Sequence, residues 1–169
     1  MTLVEVLELV YLRTDEDFSD RDTSMDKLLK YAINQAYRQI RTKVDKRTTE
    51  SDVVYGQKFI LPSNFFEMIE VKNGTTNLSD LDYDIIGNQF ILRNQNITSG
   101  NLHLFYINIP TTLVNDTDVI DLRDIYLDAL TAYASYVYLL STGKAEIANF
   151  YLTEYTKIIT PVQEQQGGR

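Results

Sequence analysis

The hydrophobic period of this chain changes twice, and no other feature constrains its fold as strongly. Up to about residue 47 apolar residues recur at helical spacing. From Thr48 to Pro110 they alternate or fall into short β-branched and aromatic runs, and from about Asp121 the helical spacing returns. Neither helical end carries enough apolar surface to close a core by itself, so the two ends are expected to close one together. The sequence therefore predicts an α+β fold, mainly α. A helical bundle formed by residues 1–49 and 111–160 carries an inserted small antiparallel β-sheet, residues 50–110, and residues 161–169 form a flexible C-terminal tail.

The helices read as follows. Leu3, Val6, Leu7 and Val10 share one face of a first helix over residues 2–13, which Thr2 can cap. A polar loop, RTDEDFSDRDTS, has Phe18 as its one large apolar anchor. A second helix over 24–47 has Thr23 or Ser24 as N-cap and a stripe of Leu29, Ile33, Ala36, Ile40 and Val44. A third, over 121–142, is capped by Asp118 or Asp121 and stopped by Gly143. It is apolar nearly all round from Ala129 onward, a pattern that asks for burial on every side. One small domain has few walls to offer it, which points to a neighbouring copy. A fourth helix over 144–159 ends at Pro161, and the following VQEQQGGR has nothing to bury.

The middle reads as four to six short strands with tight turns at Gly56-Gln57, Asn73-Gly74 and Gly87-Asn88. Pro62 ends one strand, because it cannot donate to a ladder. In FEMIEVKNG, simple alternation puts Phe66 and Met68 on one side and Glu67, Ile69 and Val71 on the other.

Catalytic chemistry finds little footing. There is no cysteine, which removes thiolate nucleophiles, disulfides and cysteine-held metals together. The single histidine, His103, has no serine in a Gly-x-Ser-x-Gly turn to activate and reads as a sheet-packing or surface residue. One histidine without cysteine makes a zinc site implausible. The acids of DTDVIDLRD lack the central glycine and final glutamate of a calcium loop and read as caps and solvated groups. Asp80, Asp82 and Asp84 read as the exposed side of an edge strand. No enzymatic activity, metal or cofactor is expected. The N-terminus has no basic region before its apolar run and does not read as a signal peptide. No apolar run approaches a membrane span.

The net charge of −8 is unevenly spread. Residues 1–26 hold eight acids and two bases, whereas residues 27–47 hold seven bases and one acid. Arg38, Arg41, Lys43, Lys46 and Arg47 are thus candidates for phosphate contact, although their spacing spreads them around a helix. A small non-specific nucleic-acid-binding module using this basic helix is one alternative reading. The other bias is tyrosine, with 12 in the chain. Tyrosine buries its ring and keeps a polar tip, which suits cores and protein interfaces equally.

The order of elements resembles the head-to-tail adaptor (connector) proteins of tailed bacteriophages. The resemblance runs from about residue 2 to 160 and rests on MTLVEVLELVYLRT with its acidic loop, DKLLKYAINQAYRQI, YGQKFILPSNFFEMIEVKNG, GNQFILRN with GNLHLFYINIP, and LRDIYLDALTAYASYVYLLSTGKAEIANFYLTEYTKI. It implies a structural virion protein made in the host cytoplasm and located in the neck. Such proteins form a ring, typically dodecameric, beneath the portal protein. The ring extends the DNA channel, passes DNA without sequence recognition and offers a platform to tail or neck proteins, with no membrane partner. On this reading Tyr126, Leu130, Tyr133, Val137, Tyr138, Tyr151 and Tyr155 are expected at oligomer or portal interfaces, and the five basic residues above are expected near channel DNA. A neck or tail-completion protein of similar architecture is a further alternative.

Overall fold

A computed structural model describes residues 1–54, 58–97 and 100–160. Among them are four α-helices and two antiparallel sheets, which makes the fold α+β. The β part is larger than one small sheet of four to six strands: it has seven strands in two sheets. The chain divides into two compact units, one of Met1–Asp45 with the chain from Thr111 onward, the other of Lys46–Pro110. The Gly56-Gln57 turn, the stop at Pro161 and the tail lie outside the described residues.

In the first unit, α1 spans Leu3–Arg13, α2 Thr23–Lys43, α3 Asp124–Ser141 and α4 Ala145–Ile159. Thr2 caps α1 in a reciprocal box with Glu5. The cap of α2 is Asp22, one residue earlier than expected, because its carboxylate accepts from the Met25 amide. That helix ends at Lys43, so Lys46 and Arg47 lie beyond it. The start of α3 is later than expected. Its N-cap position is Arg123, whose side chain does not cap it. Instead Asp45, at the far end of α2, accepts from the Arg123 amide at 3.1 Å and from its guanidinium at 2.5 Å. Gly143 follows α3 with φ of +80°, a left-handed turn that a residue with Cβ adopts at a cost.

One core joins the four helices. Leu3, Leu7 and Val10 of α1, Leu29, Ile33 and Ile40 of α2, Leu130 and Leu139 of α3, and Ala148 and Tyr155 of α4 are all buried in it. The walls that α3 needs thus come from its own chain. Its buried side holds Ala129, Leu130, Thr131, Ala132, Ala134, Ser135, Tyr138 and Leu139. The small side chains among these allow close helix approach. Other apolar side chains of α3 are more open: Ile125 is 66% and Leu140 50% exposed. The segment between Thr111 and Arg123 closes the other end. Asn34 exchanges hydrogen bonds with the Leu113 backbone at 2.7 and 2.8 Å, and Ile120 donates to the Met1 carbonyl at 2.9 Å.

In the second unit, β1 (Thr48–Val54), β7 (Asn101–Asn108), β3 (Phe65–Asn73) and β4 (Thr76–Asn77) form one sheet in that order. A second sheet has the order β2 (Lys58–Ile60), β6 (Gln89–Leu92), β5 (Tyr83–Ile86). Leu61-Pro62 separates the sheets: β2 stops before it and β3 starts after the following turn. The two sheets contribute to one core of Leu61, Val71, Phe90, Leu92, Leu102, Leu104 and Tyr106. Phe90 is stacked between Phe59 and Tyr83, with centroids 4.7 and 4.9 Å away. Simple alternation fails in β3. Register shifts between Phe65 and Glu67 and between Met68 and Glu70 let Met68 and Val71 both pack on this core. Phe66 and Ile69 are left exposed. The hairpin at Gly87-Asn88 forms as expected. The next loop along β3 is Gly74-Thr75, because Asn73 still pairs with Thr76.

Candidate functional site

The tyrosines of the helical unit work as ties between helices. Tyr151 of α4 donates to the carbonyl of Arg13, the last residue of α1, at 2.8 Å. Tyr155, also of α4, donates to Gln39 Oε1 of α2 at 2.6 Å. Its ring lies 4.8 Å from that of Tyr133, and burial pushes its hydroxyl up to about 12. Tyr126 takes the Arg123 guanidinium over its ring face at 5.1 Å. Tyr37 accepts from the Asp121 amide at 3.3 Å. Tyr138 packs its ring on Tyr11 of α1, 5.5 Å away. Tyr37, Tyr151 and Tyr155 each add apolar ring area while the hydroxyl meets a backbone or amide group, whereas the Tyr11 hydroxyl is buried with no partner among the described residues.

This placement divides the residues expected at an assembly surface. Leu130, Tyr138 and Tyr155 are buried by their own chain and have no surface to offer a neighbour in this conformation. Tyr126, Tyr133, Val137 and Tyr151 are half-buried. Two large apolar side chains remain open on α4: Ile147, which helical spacing puts on one face with Ala148, Tyr151, Leu152, Tyr155, Ile158 and Ile159, is 55% exposed, and Phe150, which that spacing leaves off the face, is 60% exposed. They are three residues apart and so share a face of α4. A helix that buries only Ala148 and Tyr155 fully can display such a face. Ile147 fits the helical spacing of Tyr151 and Tyr155, so the sequence signalled an open position at Phe150 alone.

The basic residues do not converge. Arg38 and Lys43 are exposed, but Arg41 is buried and donates to the Asp45 carbonyl at 3.0 Å. Lys46 lies in the second unit and pairs with Glu67 at 2.9 Å. Arg47 is half-buried and has a partner. The acids are likewise engaged. Asp116 receives Lys30 at 2.7 Å and Arg21 at 3.2 Å, and these bonds hold it below the ordinary carboxylate range. Asp118 is lowered by the amides of Val114 and Asn115 that it accepts from. Asp82 is held down in the same way, first by the Ser79 amide. Asp84 is bonded to Arg93 across the β5–β6 hairpin. His103 meets Asp52 on the neighbouring strand, a pairing that a sequence separation of 51 hides from sequence reading.

The surface depressions fit this picture. One is lined by Arg13, Asp128, Glu154, Lys157 and Ile158, and Arg13 and Asp128 pair across it at 2.8 Å. Another lies between α1 and the acidic loop, with Glu8, Leu12 and Phe18 among its walls. Neither set of lining residues includes a serine, threonine or histidine to act as nucleophile or neutral base. No helix among the described residues is long and apolar enough to cross a membrane.

A two-unit α+β protein whose polar side chains serve caps, turns and helix ties has the make-up of a structural component. A family model described as SU10 adaptor protein matches residues 1–169, and the chain belongs to this family of phage head-to-tail adaptors. No curated protein matches the chain.

Proposed function

We propose that this adaptor assembles as a ring, dodecameric in the complete neck, beneath the portal protein of a tailed phage. The ring extends the DNA channel and supplies the platform to which tail or neck proteins attach. The observation that carries this reading is the family match along the whole chain. On this view the first unit is a helical bundle, residues 1–49 with 111–160, and holds the ring and portal contacts. The inserted β subdomain, residues 50–110, faces tail components, and residues 161–169 form a tail that orders on a partner.

The exposed pair Ile147 and Phe150 supports a helical assembly face, with half-buried Tyr126, Tyr133, Val137 and Tyr151 able to contribute their edges. Of the five candidate basic residues, Arg38 and Lys43 are the ones exposed on the helical unit and available to a channel wall. A body of net charge −8 passes DNA without gripping it. The role is structural and non-enzymatic, in the virion neck. The test is mass photometry of the chain mixed with its cognate portal ring. A complex of portal plus a ring of copies is expected. Failure to associate, with Ile147→Ser and Phe150→Ser behaving as wild type in every assay, overturns the reading.

A further inference from the structure

On the side of the four-stranded sheet away from Leu102, Leu104 and Tyr106, donors from two strands come together. Asp52 of β1 is the register partner of His103 of β7, and Glu50, partner of Phe105, is the diagonal neighbour of His103. Strand alternation puts all three side chains on one face. One ligand atom from each lies within 4.8 Å of the other two, and Asp52 Oδ1 is 2.5 Å from His103 Nδ1.

The charge around this group is one-sided. The register partner of His103 on its other flank is Lys72 of β3. Its ammonium is engaged by Glu70 at 3.0 Å and lies 4.8 Å from the centroid of the Phe105 ring. Among the described residues neither Glu50 nor Asp52 has a lysine or arginine partner. Two carboxylates two residues apart on one strand face therefore have only the imidazole between them and their mutual repulsion. A dication relieves that repulsion directly.

We propose that Glu50, Asp52 and His103 form a divalent transition-metal site suited to zinc, with the remaining coordination positions open to water. One imidazole nitrogen and two carboxylate oxygens are a donor set that zinc accepts at about 2.0–2.2 Å. Tetrahedral ligands at those lengths stand about 3.3 Å apart, so the wider pairs need to close by about 1.5 Å at most, and Asp52 and His103 need to give up their direct contact and open by about 0.8 Å. The side chains are exposed or half-exposed and free to rotate that far. Calcium and magnesium prefer an all-oxygen shell of six or more, which three donors including a nitrogen do not supply. Two carboxylates supplied across the β1–β7 ladder make up for the missing second histidine and cysteine. The site also has a structural consequence. β1 is the edge of its sheet and the first strand of its unit, and β7 is the last. A metal held by both ties the entering strand to the leaving one.

Isothermal titration of the full chain with zinc chloride, and with magnesium chloride as control, tests the proposal. Zinc binding at one per chain is expected, with no magnesium heat, slowed amide exchange along β1, and a signal that falls at acid pH as the ligands protonate. His103→Ala is expected to abolish it. Asp52→Asn and Glu50→Gln are each expected to weaken it by at least the tenfold or so that loss of even an outer-shell partner costs. Because Glu50 is exposed, Glu50→Gln keeps the test sound even where His103→Ala disturbs the sheet. No zinc heat, or zinc binding that survives both carboxylate variants unchanged and so marks a lone surface histidine, overturns the site. Neither outcome bears on ring assembly, which mass photometry reads separately.

Discussion

Replacing Leu130 by alanine separates a helix shielded by its own chain from one shielded by a neighbour. Leu130 is fully buried on α3 within the core shared with α1, α2 and α4. Leucine-to-alanine changes in such cores cost about 2–5 kcal/mol, the transfer of the lost methyl groups plus the cavity they leave. Rigid neighbours on several sides place Leu130→Ala near the middle, about 3 kcal/mol. For a chain of this length each kcal/mol moves the melting point by about 2–4 °C, so a fall of about 6–12 °C is expected. Circular dichroism melts of dilute protein at two concentrations read it, and the midpoint is expected not to depend on concentration. The double change Ile147→Ser with Phe150→Ser removes exposed side chains and is expected to stay within about 0.5 kcal/mol per site. An unchanged melt for Leu130→Ala, or a midpoint that climbs with protein concentration, would refute the reasoning. Either result would mean that α3 is completed by another copy.

Other outcomes follow from single contacts. Asp45→Ala removes the long-range cap on α3 and its bond to Arg123, and is expected to lower stability by about 2 kcal/mol in urea denaturation. Arg123 is half-exposed and can turn to water, which keeps the loss below that of a fully buried pair. Tyr155 has a raised folded value of about 12. Its contribution is thus complete below the unfolded tyrosine range near pH 10 and is lost as pH rises from there toward 12. Burial also raises Tyr11, Tyr83 and Tyr138, so spectrophotometric titration should show several phenolates appearing late, and Tyr155→Phe should remove one from the late phase. Asp116 and Asp118 are depressed, so their contribution is present above the ordinary carboxylate range near pH 4 and is lost as pH falls below it. Asp116→Asn should flatten the acid limb of stability against pH. Gly87→Ala meets no atom within 4 Å but must hold φ near +62°, so a loss of about 1–2 kcal/mol is expected, confined to the second unit.

The helices were legible because their periodicity is local. The core stripe of α2 through Leu29, Ile33, Ala36 and Ile40 is buried where the spacing put it. Their boundaries were less so. Asp22 competes with Thr23 and Ser24 for one cap, and all three suit the position chemically. α3 was misjudged because a helix apolar all round says that it is surrounded without saying by what. Three helices brought together across an insertion of some sixty residues supply most of the cover, and sequence spacing carries no trace of that geometry. In the β unit, bulges in β3 defeat simple alternation, and two sheets pack where a single run of hairpins was expected. The group of Glu50, Asp52 and His103 depends on β1–β7 register alone. The basic stretch misled for a similar reason: Arg41 is turned inward and Lys46 lies beyond the helix end.

The central claim is that this chain adds to a portal ring as a ring of its own. Electron microscopy of the cognate portal incubated with an excess of the chain tests it most directly. A second annulus coaxial with the portal, its density matching the four-helix unit and missing when Ile147 and Phe150 are changed to serine, is the expected image. A bare portal beside free monomers, at concentrations where both proteins are folded, contradicts it.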